Sequence, residues 1–213
     1  MPPTPCPLCG SRGVQPFFED RQRPYLRCST CLLVFVPRHY WLQPTQEKAT
    51  YDLHENNPLD PGYRRFLSRL SAPLLKRLTP GQQGLDFGCG PAPALALMLE
   101  EQGYAMERYD PWYADDPRLL QQEYDFICAT EVVEHFHHPA REFTTLFRLL
   151  RPQGQLAIMT KLVIDRQAFS GWHYIRDLTH LCFYCRPTFH HIAQEYGAEL
   201  SWSGPDVLFL QKH

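Results

Sequence analysis

Three groups of residues in this 213-residue chain have types and spacings that could do chemistry. The first is a pair of C-x-x-C motifs, Cys6-Pro7-Leu8-Cys9 and Cys28-Ser29-Thr30-Cys31, separated by 18 residues. Zinc prefers four thiolates at tetrahedral corners, and a tight turn brings two cysteines together at this spacing. Gly10 supplies the positive φ that such a turn often needs. A segment this short needs a staple to hold together. Cys6, Cys9, Cys28 and Cys31 are therefore read as the ligands of a structural zinc with no open position.

The second group is Gly84-Leu85-Asp86-Phe87-Gly88-Cys89-Gly90-Pro91-Ala92, followed by Leu95, Leu97, Met98 and Leu99. It reads as strand, glycine turn and helix. The glycines let a ligand approach the backbone, and the helix start offers N–H groups. No lysine followed by Ser or Thr is present, which disfavours a phosphate-gripping loop. The Asp86 carboxylate, just before the turn, suits a cationic amino-acid moiety. The next strand, 104–109, runs into Asp110, at the place where α/β folds grip ribose hydroxyls. A further strand, 124–130, brings Thr130 to the same edge.

The third group is Glu131, Glu134 and His135, an E-x-x-E-H segment where a strand tip becomes a helix. Positions i, i+3 and i+4 share one side of a helix, so the three converge. His180, in Asp177-Leu178-Thr179-His180, is a candidate fourth member. Carboxylates with imidazole suit Mg²⁺, Mn²⁺ or Zn²⁺. Without a cation, Tyr174, His173 or His180 could serve as general base. The plainer alternative is that this segment only shapes the fold and the pocket.

These groups need elements to position them. Residues 1–40 form the zinc ribbon, with short strands around 25–27 and 32–36. Residues 41–62 read as a polar linker broken by Pro44, Pro58 and Pro61. Residues 63–213 form an α/β domain. Its lead-in helix carries Phe66, Leu67, Leu70, Leu74, Leu75 and Leu78 at helical spacing, interrupted by Pro73. Tyr51 and Tyr63 could lean over a cofactor pocket, with ordinary packing as the leading reading. An amphipathic helix with Phe143, Leu146, Phe147, Leu149 and Leu150 leads to a turn at 151–154 and a strand at 155–160. Trp172 reads as a packed lid residue. Cys182-x-x-Cys185 lacks a second pair and reads as core thiols. A helix at 187–196 and a hairpin at 198–210 close the chain.

Hydrophobic residues make up 44% of the chain, enough for a core, and the net charge of −2 predicts no broad nucleic-acid surface. The N-terminus lacks the charged and apolar regions of a signal peptide, and no apolar run reaches the roughly 20 residues of a membrane span. A reducing cytoplasm is the expected location, where a disulfide framework does not form.

The D-x-G-x-G motif of Asp86, Gly88 and Gly90, the acidic strand end at Asp110, and the segments YDFICATEVVEH and LLRPQGQLAI together resemble class I S-adenosylmethionine methyltransferases over residues 63–210. The resemblance implies a doubly wound, seven-stranded, mostly parallel sheet with a terminal antiparallel hairpin. It places Asp86, Gly88 and Gly90 at the methionine end of S-adenosylmethionine, with Thr130 nearby and Asp110 on the ribose. Two departures stand out. Ala92, after Pro91, replaces a third glycine. The stretch from Asp110 to Tyr124 is too short for the usual helix and strand, which leaves Asp115 and Asp116 as adenine candidates. The E-x-x-E-H segment is similar to that of O-methyltransferases of ubiquinone biosynthesis and of small RNAs, in which the matching residues bind a divalent cation that holds the acceptor oxygen. Transfer to an oxygen of a small-molecule acceptor is the leading expectation. An RNA-modifying enzyme that docks RNA through its ribbon, and a non-catalytic module holding cofactor or partner, are the alternatives. The sparse lysines weigh against the first, and the intact Asp86, Gly88, Gly90 and Asp110 against the second.

Overall fold

The structure, a computed structural model, describes residues 4–53 and 57–213. Residues 1–3 of the N-terminal reading and 54–56 of the expected linker lie outside the described residues. The ribbon contains three short strands, β1 (Val14–Glu19), β2 (Pro24–Cys28) and β3 (Val34–Phe35). They pair antiparallel in that order. Gly10 takes φ +71° in the first cysteine turn.

The stretch read as a linker holds a helix, α1 (Pro44–Tyr51), and the next helix, α2, runs Pro61–Leu75. Pro44 and Pro61 begin helices instead of breaking them. A proline at the first helical position loses no hydrogen bond, and its fixed φ is already helical. Asp60 caps α2 by accepting from the Tyr63 N–H at 2.7 Å, and the helix runs through Pro73.

The larger sheet is built from β4 (Gln83–Phe87), β5 (Ala105–Tyr109), β6 (Tyr124–Thr130), β7 (Leu150–Met159), β9 (Ala198–Trp202) and β10 (Val207–Lys212). Helix α3 (Ala94–Glu100) follows β4, α4 (Pro139–Leu149) precedes β7, and α6 (Arg186–Glu195) precedes β9. The order is β5-β4-β6-β7-β10-β9, parallel through β7 and antiparallel in the last two pairs. In β6, Phe126 and Cys128 join one core beside α2 and α3, while Ile127 and Ala129 join another beside α4 and α6. A strand buried on both faces is what a parallel sheet covered by helices requires.

Two expectations are corrected here. Among the described residues the sheet has six strands, not seven. The fourteen residues between β5 and β6 contain Pro111 and Pro117, and they form an Asp110–Ala114 bridge and a short 3-10 turn at Leu119–Gln121. That length does not hold a helix plus a strand. The turn expected at 151–154 lies inside β7, where Gln153 takes φ +64° and the pairing with β6 shifts register.

The remaining elements join the two sheets. After α5 (Arg166–Ser170), the two-residue strand β8 (Cys182–Phe183) leaves the α/β part and pairs with β3. One buried cluster accordingly contains Cys6, Cys28 and Cys31 together with Leu85, Ile127 and Ile158.

Candidate active site

The four ribbon cysteines converge. Cys6 and Cys31 Sγ are 3.5 Å apart, as are Cys9 and Cys28 Sγ, and all four sulfurs lie within 4.8 Å of one another. A zinc tetrahedron with bonds of about 2.3 Å has sulfur–sulfur edges of roughly 3.8 Å, so the donor set fits. The Cys6 thiol is lowered, chiefly by its hydrogen bond with Cys31, whose own is raised.

At the carboxyl ends of β4 and β6 opens a cavity of about 890 Å³. This is the switch point of an open α/β sheet, where ligands bind. Its first half is the glycine turn. Gly88 and Cys89 donate N–H to the Tyr109 carbonyl at 2.8 and 3.2 Å, so the turn is tied to the end of β5. Gly88 has φ +76°, and a Cβ there would stand 2.5 Å from Val132 Cγ2. Gly90 has φ +64° with open space where a Cβ would point, a cradle suited to a ligand. The Asp110 carboxylate is 7% exposed and accepts three backbone N–H groups: Gly90 at 3.0 Å, Trp112 at 2.8 Å and Tyr113 at 3.1 Å. Thr130 lines the cavity, and its Oγ1 is buried without a hydrogen-bond partner. Asp86 stands behind the turn, and burial pushes its carboxyl up to about 7. Trp112, Tyr113 and Leu120 line this half, whereas Asp115 and Asp116 do not.

The other half is lined by Glu131, His135 and His180, with Glu134 fully buried behind its wall. Ligand atoms of Glu134, His135 and His180 lie within 4.8 Å of one another, and Glu131 is outside that set. His135 Nδ1 stands 3.2 Å from the Thr179 carbonyl and His180 Nδ1 2.7 Å from the Tyr174 carbonyl. A carbonyl only accepts, so both Nδ1 atoms carry the proton, and in the neutral rings Nε2 is the basic nitrogen. His180 Nε2 is 3.7 Å from the Asp177 carboxylate. Fully buried Glu134 accepts from the Tyr174 hydroxyl and, at 3.0 Å, from Thr160 Oγ1. Burial and the Glu131 charge raise the Glu134 carboxyl above its ordinary range. Tyr174 sits behind the cavity wall with its hydroxyl raised by burial, so it orients Glu134 and His180.

Glu131 lines the cavity in a left-handed conformation, φ +54°, with Oε1 buried and unpartnered. A non-glycine residue in this region carries strain that persists where its surroundings hold it. Burial raises its carboxyl, and the Lys161 charge partly offsets this.

Helix α1 covers this half. Glu47 and Tyr51 line the cavity from above, Tyr51 donates to Glu47 Oε1 at 2.9 Å, and Tyr113 donates to Asp52 at 2.7 Å across the mouth. Tyr51 and Tyr63 are wall residues in addition to packing residues. Sequence reasoning missed Glu47, His137, Arg141 and Glu142, which also line the site. Pro139 at the first position of α4 was a visible signal for a helix start beside Glu142, but nothing local announced α1 as a cover. Half-buried Trp172 stacks on Tyr174 at 4.8 Å, and Cys182 is buried with its Sγ against the Phe136 carbonyl.

Comparisons with known proteins bear on the family and the fold. The family described as "Methyltransferase domain" matches residues 59–201. No curated protein matches the sequence. Among solved structures, the magnesium protoporphyrin IX methyltransferase of Synechocystis PCC 6803, with bound SAH, is similar at 12% identity and TM-score 0.56, over 80% of this chain and 95% of that one. The 1,6-didemethyltoxoflavin-N1-methyltransferase of Burkholderia thailandensis, with bound S-adenosylhomocysteine, is similar at 16% identity and TM-score 0.50, over 93% and 99%. An O-methyltransferase family protein from Burkholderia thailandensis is similar at 15% identity and TM-score 0.51 over 78% of this chain, which spans 62% of that protein's length. Among the described residues no helix is long and apolar enough to cross a membrane. The chain belongs to the methyltransferase domain family and is a class I S-adenosylmethionine-dependent methyltransferase.

Proposed function

We propose that this chain methylates an oxygen of a small-molecule acceptor, held beside a divalent cation at Glu134, His135 and His180. One observation carries the reading: ligand atoms of Glu134, His135 and His180 lie within 4.8 Å of one another, with each imidazole oriented through Nδ1 by a backbone carbonyl. Ligating histidines are usually oriented in this way by an outer hydrogen bond. Two imidazoles and one carboxylate suit Zn²⁺ or Mn²⁺ better than Mg²⁺. When bound, the cation lowers the pKa of a hydroxyl, and S-adenosylmethionine supplies an electrophilic methyl group.

The chain does the rest. Gly88 and Gly90 present backbone to the methionine end, Thr130 Oγ1 offers an unused polar atom, and Asp110 holds the turn and faces the ribose. Glu131 Oε1 stands as acceptor for the hydroxyl proton. Helix α1 excludes water from above, an arrangement that favours a small acceptor over RNA. The four-cysteine site holds zinc structurally, residues 1–40 act as the ribbon, and residues 63–213 carry the transfer. The free thiols among the described residues suit a reducing cytoplasm.

The test is turnover with S-adenosylmethionine and a panel of hydroxyl- and amine-bearing aromatic acceptors, followed by mass spectrometry of S-adenosylhomocysteine and NMR of the product. Oxygen methylation should fall roughly a hundredfold or more in Glu134→Gln. It should stop with chelator and return with Mn²⁺ or Zn²⁺. Methylation on nitrogen alone, or turnover indifferent to chelator and to Glu134→Gln, overturns the reading.

A further inference from the structure

Arg23 is the last residue of the turn between β1 and β2, yet it is 2% exposed. Its Nη1 donates to the Leu178 carbonyl at 2.8 Å, and its Nη2 to the carbonyls of Asp177 at 2.8 Å and Ile175 at 3.3 Å. Its Nε donates to Tyr25 Oη at 3.0 Å, and Tyr25 in turn donates to Asp20 Oδ2 at 2.8 Å. A buried guanidinium is costly unless its donors are met. Here three of the acceptors are backbone carbonyls of one segment, far along the chain and directly ahead of Thr179 and His180.

The same segment is gripped a second time by the ribbon. β3 pairs with β8, and Val36 N–H donates to the Leu181 carbonyl at 2.9 Å. Leu181 N–H then donates to the Glu134 carbonyl at 2.7 Å. Residues 175–183 thus lie between the ribbon on one side and Glu134 and His135 on the other. This segment and its lead-in also supply the two carbonyls, of Tyr174 and Thr179, that orient His180 and His135. If the segment drifts, both rings lose the partners that aim Nε2.

We propose that the N-terminal hairpin is a positioning element of the acceptor site, and that Arg23 is the positioning residue that fixes the aim of His180 and, through Thr179, of His135. The consequence for turnover rests on the acceptor-site reading above, whereas the geometric coupling stands apart from it. Arginine's rigid fork suits this task, because it meets several carbonyls in fixed directions, which the single ammonium of lysine does not do.

The experiment uses the full zinc-loaded chain. Imidazole NMR spectra report His135 and His180, amide exchange reports residues 177–182, and calorimetry reports S-adenosylhomocysteine binding. Arg23→Met should shift both Nδ1–H signals and speed exchange across 177–182 by roughly tenfold or more. S-adenosylhomocysteine affinity should stay within about twofold, because its half of the cavity does not touch this segment. Arg23→Lys should restore part of the wild-type spectrum. A folded Arg23→Met with unchanged histidine signals overturns the proposal, and so does an equal loss of S-adenosylhomocysteine affinity, which would indicate general loosening. If Arg23→Met does not fold, Tyr25→Phe removes the hydroxyl that accepts from Arg23 Nε and donates to Asp20, and leaves the guanidinium's carbonyl contacts in place. It should give the same signature at smaller amplitude, and its absence overturns the proposal. Full turnover in both His135→Gln and His180→Gln would remove the acceptor-site reading while leaving the NMR result in place.

Discussion

Asp110→Asn tests how the glycine turn is held and what it holds. Asp110 Oδ2 takes the Gly90 N–H, while Oδ1 takes those of Trp112 and Tyr113. Asparagine keeps one carbonyl oxygen and turns the other into a donor. With Trp112 and Tyr113 still served, the new amide nitrogen faces the Gly90 N–H, donor against donor. A hydrogen bond to a charged group is worth about 1.5–3 kcal/mol, and an unsatisfied buried donor costs about 1–3 kcal/mol. The turn should therefore lose on the order of 2–4 kcal/mol. Alanine would strip all three bonds and cost roughly 5 kcal/mol or more, a large share of a domain's 5–15 kcal/mol, so asparagine is the cleaner probe. Calorimetry with S-adenosylhomocysteine should show Kd rising about 30-fold, the equivalent of roughly 2 kcal/mol. Thermal melts should fall by about 2–4 °C for each kcal/mol lost. Unchanged Kd and Tm together would refute both roles. A lowered Tm with unchanged Kd would leave Asp110 as a turn-holder alone.

Three other outcomes follow from the structure. Elemental analysis of protein purified without added metal should find one zinc per chain in the ribbon, and Cys28→Ser should lose it and melt the hairpin; four freely titratable ribbon thiols in the wild type would refute the site. The Asp86 carboxyl, buried and raised to about 7 from 3.8, keeps its proton in the folded state at pH values where the unfolded chain has lost it. The protonated carboxyl's contribution is thus complete below about pH 4 and lost as pH rises to about 7, on the order of 4 kcal/mol in all. In urea titrations without cofactor, the stability of wild type relative to Asp86→Asn should fall across that window, and a flat difference would contradict it. Gly88→Ala combines a positive φ with a 2.5 Å clash on Val132. It should destabilise the fold by about 2 kcal/mol or more and abolish S-adenosylhomocysteine binding, and an unaffected melt would show that the turn relaxes.

What could be read from the sequence was what is local. The D-x-G-x-G turn, the Asp110 strand end and the paired C-x-x-C motifs each act within a few residues of themselves, and spacing alone described them. Pro44 and Pro61 misled because a proline marks a helix start as readily as a break, and only Asp60 beside Pro61 hinted at a cap. The seventh strand came from resemblance, while the proline-bearing fourteen residues after β5 argued against it. The E-x-x-E-H spacing assumed a helix, but Val133–His135 is a 3-10 turn after a left-handed Glu131, and Glu131 falls outside the set that Glu134 and His135 form with His180. Arg23 was illegible because the carbonyls it holds lie more than 150 residues away, and no periodicity carries that information.

The pairing of β3 with β8 also sets a schedule for synthesis. Val34 and Phe35 leave the ribosome roughly 150 residues before Phe183 and Cys182, which at about 5–20 residues per second is a wait on the order of 10–30 s. Over that interval the Leu32-Leu33-Val34-Phe35-Val36 run, uncharged and rich in strand formers, keeps one edge open. Zinc captured early can close the cysteine turns but does not cover that edge. Nascent chains arrested before residue 182 should therefore stick to one another or to chaperones even when fully metallated, and chains released beyond it should not.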